Sequence, residues 1–160
     1  MWKTQTVKRV NRMENSMILR MKKVRKQAQL PQRQTEGSAG YDLCACVEEP
    51  VTLLPGEAFI FPTGLAAEIP HGCAGMIFTR SGLGVKHGVA VRNGVGVIDS
   101  DYRGEIHVGL QNFSQEPYTI QPGERIAQLI LMPVCLPPVV EVEELSQTQR
   151  GSGGFGSTGK

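Results

Sequence analysis

From residue 17 onward the apolar residues fall in short runs bounded by Gly, Pro, Asn or Asp. Runs of that length between turn formers predict β-strands rather than helices. MILRMKKVR (17–25) predicts an opening strand with its charged residues turned outward. SAGYDLCACV (38–47) alternates, which sets Cys44 and Cys46 on one strand face. EAFIFPTGLAAEI (57–69) and CAGMIFTRSG (73–82) predict two β-rich segments joined through Pro70, His71 and Gly72. VAVRNGVGVIDSDYRGEIHVGLQNF (89–113) predicts two hairpin-like units, with Asn93-Gly94 as a strong turn signal and Asp99–Gly104 as a polar turn region. RIAQLILMPV (125–134) predicts a buried strand, and RSGLGVKHG (80–88) is a helix candidate weakened by its glycines. Strands at this spacing predict an all-β sandwich, barrel or jelly roll.

The two ends differ from this body. Residues 1–16 have no convincing period and are expected to form a disordered basic leader, ranked above a transit peptide or a nucleic-acid-binding arm. Residues 150–160, RGSGGFGSTGK, have too few apolar groups to bury and are expected to be a mobile arm. One domain is expected over 17–149. The formal net charge of +2 is unevenly spread: residues 1–33 carry ten Lys or Arg and one acid, residues 34–160 seven Lys or Arg and fourteen acids. An acidic body argues against a phosphate-tracking groove, so no nucleic-acid partner is expected. A polyanionic small substrate would need a local device, such as a few arginines, backbone N–H groups or a divalent cation.

Cys44, Cys46, Cys73 and Cys135 form no C-x-x-C pair, and His71, His87 and His107 have no zinc-ligand spacing. The apolar stretch around 126–140 is broken by Gln128, Pro133, Pro137 and Pro138, so no membrane span is expected. Unpaired thiols and the lack of a secretory signal point to a cytoplasmic setting.

Two segments carry candidate chemistry. In GVIDSDYRGEI (96–106), Asp99 follows the apolar run Val95–Ile98, which fits either a polar-tipped surface hairpin or a positioned base beside the Tyr102 ring. The tail contains GSGGFG and GFGSTGK, which match phosphate-loop patterns but lack the helix those folds require. The glycines still allow backbone N–H groups close to an anion. Arg150, Ser157 and Thr158 add donors, and Phe155 is an aromatic with nothing local to cover.

AGYDL (39–43), TRSGLG (79–84), NGVGVIDSDYRGEI (93–106), GERIAQLIL (123–131) and RGSGGFGSTG (150–159) stand in one order along the chain. Together they resemble the five motifs of the trimeric dUTP pyrophosphatases, the dUTPases, over roughly residues 17–160. The resemblance implies the distorted jelly roll of that family, a homotrimer with shared sites, and hydrolysis of dUTP to dUMP and pyrophosphate with Mg²⁺. It implies that Asp99 is the base for the attacking water and that Tyr102 packs under the deoxyribose. Asn93 and the backbone of Gly96, Val97 and Ile98 would read the uracil, and Asp101 would support the turn. Asp42 would anchor the Mg²⁺ water shell, although the residue alone reads as a turn Asp after Gly40. Arg80, Ser81 and Gly82 would contact phosphate. Gln128 would lie near the phosphates and the water, although a polar strand end explains it equally. Arg150, Phe155, Gly156, Ser157 and Thr158 would close over the nucleotide, with Phe155 stacked on uracil. The second motif departs from the family in starting with Thr79 where proline is usual. A dCTP deaminase shares the fold and is the nearest rival; a non-catalytic nucleotide sensor on the same scaffold is another.

Overall fold

The computed structural model describes residues 18–154. The leader 1–16 and the tail residues Phe155, Gly156, Ser157 and Thr158 lie outside the described residues. Among the described residues ten strands and one helix follow in order: β1 (Arg20–Lys23), β2 (Tyr41–Cys44), β3 (Val51–Leu53), β4 (Ala58–Glu68), β5 (Cys73–Thr79), α1 (Ser81–His87), β6 (Val89–Val91), β7 (Gly96–Ile98), β8 (Glu105–Asn112), β9 (Tyr118–Ile120) and β10 (Arg125–Pro133). Two four-stranded sheets have the orders β1-β4-β8-β6 and β2-β10-β5-β7, and β3 pairs with β9 in a small third sheet. All named pairings are antiparallel. The sandwich expected from the strand spacing is what forms.

The core lies between the two large sheets. Strand β8 sends Ile106, Val108, Leu110 and Asn112 inward at period two. They join Phe61 and Leu65 of β4 and Leu43, Ile77, Ile126 and Leu129 of the second sheet. Asn112 is fully buried yet uses its whole amide. Its Nδ2 donates to Leu53 O at 2.9 Å and Glu116 O at 2.7 Å, while Oδ1 accepts from Ser114 N and Oγ. That satisfies both donors and both lone pairs.

The hairpin reading of 89–113 is corrected by the pairing. β6 pairs with β8 in one sheet, whereas β7 pairs with β5 in the other. Asn93-Gly94 does turn the chain, with Gly94 at φ 74°, but the turn carries it from one sheet to the other. Asp99–Gly104 crosses back the same way. The face shared by Cys44 and Cys46 is also corrected. β2 ends at Cys44, and Cys46 N donates to Pro62 O at 2.8 Å, across to the other sheet. RSGLGVKHG forms α1, closed by Gly88 in the left-handed conformation at φ 65°.

Register slips between Pro62 and Ala66 on β4 where it faces β8. Gly64 occupies this bulge at φ 70°, and a Cβ there would sit 2.6 Å from Ala28 Cβ and 2.9 Å from Cys46 Sγ. Glu105, at the start of β8, locks the bulge. Its Oε1 accepts from Gly64 N at 2.8 Å and Arg25 Nε at 2.7 Å, and Oε2 accepts from Arg25 Nη2 at 3.1 Å. The Arg25 guanidinium, followed by the Gly64 N–H, holds the Glu105 carboxyl below the usual carboxylate range against the opposing effect of burial.

A carboxyl with a lowered native pKa stabilises the fold above its unfolded pKa of about 4.3, and that contribution is lost as pH falls through the native value. Glu105→Gln should therefore lower the urea midpoint at pH 7. The gap to the parent protein should shrink steadily below about pH 4. Equal gaps at pH 7 and pH 3 would show that the carboxylate charge is not what holds the bulge.

Candidate active site

Among the described residues strand β7 has β5 on one edge and no strand on the other, so the backbone groups that alternate outward along Gly96–Ile98 face away from the sheet. The chain leaves β7 at Asp99, which is exposed. Tyr102 N donates to Asp99 O at 3.2 Å and closes a turn. Arg103 Nη1 staples that turn through Ser100 O at 2.7 Å and Tyr102 O at 3.0 Å. The hydroxyl end of the Tyr102 ring lies against Gly104, where a Cβ would come within 2.6 Å of the ring Cζ. Its hydroxyl donates to Glu105 O at 3.0 Å. Val97, Ile98, Asp99 and Tyr102 thus line one cavity of about 230 Å³, completed by Glu105, Ile106 and His107. Asn93 lies upstream, exposed on the preceding turn.

A second group forms where β2, β10 and β5 end together. Asp42 Oδ1 accepts from Arg80 Nε at 2.9 Å, and Oδ2 accepts from Arg125 Nη1 at 3.1 Å. Arg80 Nη1 also donates to Arg125 O at 3.1 Å. Gln128 sits opposite Asp42 on one side and Phe78 on the other, and its Nε2 donates to Thr79 O at 3.1 Å. Gly40 leaves room for that amide, since a Cβ there would lie 2.6 Å from Gln128 Oε1. Ser81 and Gly82 open α1 and are exposed, and the Arg80 side chain makes no cap over the first N–H groups. Arg150 lies in an exposed turn with Nε donating to Gly153 O at 2.9 Å; among the described residues no hydrogen bond or ion pair ties it to either group.

Register measures the distance between the two groups. Ile98 pairs with Gly75, so Asp99 continues past Gly75 toward the start of β5, while Arg80 follows Thr79 at its end. At about 3.4 Å per residue, Asp99 and Arg80 are on the order of 20 Å apart in one chain.

Arg125 and Glu105 are functional neighbours that the sequence reading passes over, although both lie inside the quoted segments GERIAQLIL and NGVGVIDSDYRGEI. Their partners, Asp42 and Arg25, are 83 and 80 positions away. Thr79, the departure from the family pattern, accepts from Val91 N through Oγ1 at 2.8 Å, a bond no proline could make.

The donor set limits how a cation could bind. No group of three His, Cys, Asp or Glu is gathered among the described residues, and each Asp42 oxygen already accepts from a guanidinium. This fits Mg²⁺ carried by phosphate oxygens and water, with Asp42 reached through a water, and does not fit an all-protein cage.

Residues 26–159 match the family model described as dUTPase. A deoxyuridine 5'-triphosphate nucleotidohydrolase of Anaeromyxobacter sp. (strain Fw109-5) is 54% identical over 132 residues, which cover 82% of this chain and 88% of the relative. The dUTPase of Staphylococcus bacteriophage 80alpha, solved with dUPNHPP, aligns with a TM-score of 0.80 at 31% identity over 89% of this chain and 99% of that one. A mutant dUTPase from phage phi11 of S. aureus, described as revealing the coordination of a structural Mg(II) ion, aligns with a TM-score of 0.72 at 27% identity over 79% and 97%.

Thr79→Val keeps the shape of the side chain but leaves Val91 N–H without its acceptor, which should cost about 1–3 kcal/mol in chemical denaturation. Thr79→Ser, which retains the oxygen, should lose clearly less. A larger loss in Thr79→Ser than in Thr79→Val would assign the effect to the methyl packed on Gly84 instead.

Proposed function

We propose that this chain, which belongs to the dUTPase family, is a dUTP diphosphatase that hydrolyses dUTP to dUMP and pyrophosphate. The observation that carries the reading is the cavity at the end of β7, where an exposed carboxylate and a tethered aromatic ring adjoin an unpaired strand edge.

Gly96, Val97 and Ile98 offer main-chain donors and acceptors to the uracil edge, with Asn93 beside them. The Tyr102 ring packs under the deoxyribose and leaves no room for a 2′-hydroxyl. Asp99 takes a proton from water as the oxygen attacks the α-phosphorus; the bond to the α,β-bridging oxygen breaks and pyrophosphate leaves. Arg80, the Ser81 hydroxyl, Gly82 N–H and the Gln128 amide hold the phosphates. Asp42 keeps Arg80 aimed and would hold Mg²⁺ through a water; the metal would supply positive charge against that of the leaving pyrophosphate. Arg150, Phe155, Gly156, Ser157 and Thr158 form the arm that closes over the nucleotide, beyond a catalytic body at 17–149. No role is assigned to the leader 1–16.

The separation of about 20 Å between Asp99 and Arg80 supports a site assembled from different copies, in a homotrimer. So does the strap that follows β10. Leu136, Val139, Val140, Val142 and Leu145 are exposed there among the described residues, with Val139 at 100%, and cover for them from another chain fits that assembly. No helix among the described residues is long and apolar enough to cross a membrane. The four cysteines are free, which supports a reducing, cytoplasmic setting.

Pyrophosphate release should be selective for dUTP in a panel of nucleoside triphosphates, and chelation should suppress it. Asp99→Asn should retain fold and nucleotide binding but lose about 10²–10⁴ in turnover. A variant within a factor of two of the parent enzyme would remove Asp99 from the role of base.

The shared site has its own test. Asp99→Asn and Arg80→Ala chains, each inactive alone, are co-expressed and mixed trimers are purified. With base and arginine on different chains of a cyclic trimer, about a quarter of sites are complete under random mixing. dUTP hydrolysis no higher than the better homotrimer, in trimers shown to contain both chains, would sink the shared-site reading.

A further inference from the structure

The reaction assigned above leaves one wall of the Asp99 cavity without a role, that formed by His107. Alternation along β8 turns Ile106 and Val108 into the core and leaves His107 on the outer face beside Glu105, 42% exposed at its side chain. His107 Nδ1 lies 3.0 Å from Glu105 O. The same oxygen accepts the Tyr102 hydroxyl, also at 3.0 Å. A carbonyl oxygen only accepts, and it has two lone pairs. Nδ1 must therefore carry a proton to donate, and the imidazole and the phenol together fill that oxygen. On its other side, His107 Nε2 faces Glu105 Oε2 at 3.7 Å, an ion-pair distance rather than a hydrogen bond.

We propose that His107 is a positioning residue for the Tyr102 ring and thereby sets how strongly the enzyme prefers a deoxyribose over a ribose. The inference rests on the dUTPase reading of the cavity. With His107 present, one approach to Glu105 O is occupied and the Tyr102 hydroxyl is confined to another. Without it, that approach is open and the hydroxyl can shift toward it. The ring is then free to tilt off Gly104, and space opens for a 2′-hydroxyl.

The test compares kcat/KM for dUTP and UTP on the same enzyme preparation, with UTP read as an inhibition constant where its turnover is too slow. The ratio cancels differences in folded fraction. In His107→Ala it should fall about two- to tenfold, the worth of one hydrogen bond. His107→Asn, whose amide can replace the Nδ1 donor, should recover most of the ratio. A His107→Ala ratio equal to the parent's would overturn the proposal, as would failure of His107→Asn to exceed His107→Ala. A parent enzyme with no dUTP turnover would instead overturn the reaction assignment, and this inference with it.

Discussion

Strand β5 is bonded along both edges, to β10 and to β7, and so it is held straight. Its two ends carry the two halves of the proposed site. The carboxylate lies beyond the β7 register at one end, and the guanidinium follows the last residue at the other. No side chain bridges a gap of about 20 Å, so the proposed reaction would draw its carboxylate and its guanidinium from different copies. An apolar strap without cover among the described residues supports the same reading from a separate part of the molecule.

Glu105 divides its work between side chain and main chain. The carboxylate is spent on the fold: it holds Arg25 and the N–H of Gly64, and through them the bulge that lets β4 pass β8. The carbonyl is spent on the site, where it tethers Tyr102 and His107. A change in the bulge therefore reaches the aromatic ring through one residue. The path is short and consists of hydrogen bonds that an altered side chain can remove one at a time.

Much of this was legible in the sequence, and the misses share a cause. Apolar runs bounded by turn formers located β4, β5, β8 and β10, of which β8 buries every second residue. The Asn93-Gly94 signal correctly marked a positive-φ turn, yet the strands on its two sides join different sheets. Local turn chemistry reports that the chain reverses or bends; it carries no information about which neighbour a short strand then finds. The same limit hid Arg125 and Glu105, whose importance lies in partners some eighty positions away. Asp99 and Tyr102 were readable because a turn of four residues brings them together.

Charge shows how an acidic body can serve a polyanion. Residues 34–160 carry fourteen acids against seven Lys or Arg, so the long-range field opposes a triphosphate. The answer is local. Asp42, with a side chain only 12% exposed, draws Arg80 and Arg125 to the ends of β2, β5 and β10. One carboxylate there holds two guanidiniums, so the cluster is net positive although its centre is an acid. Exposed charges more than about 10 Å away are screened at ordinary salt, whereas a directly contacted phosphate is not. Placing the arginines around a partly buried carboxylate fixes their direction before any anion arrives. Less side-chain entropy is then lost on binding.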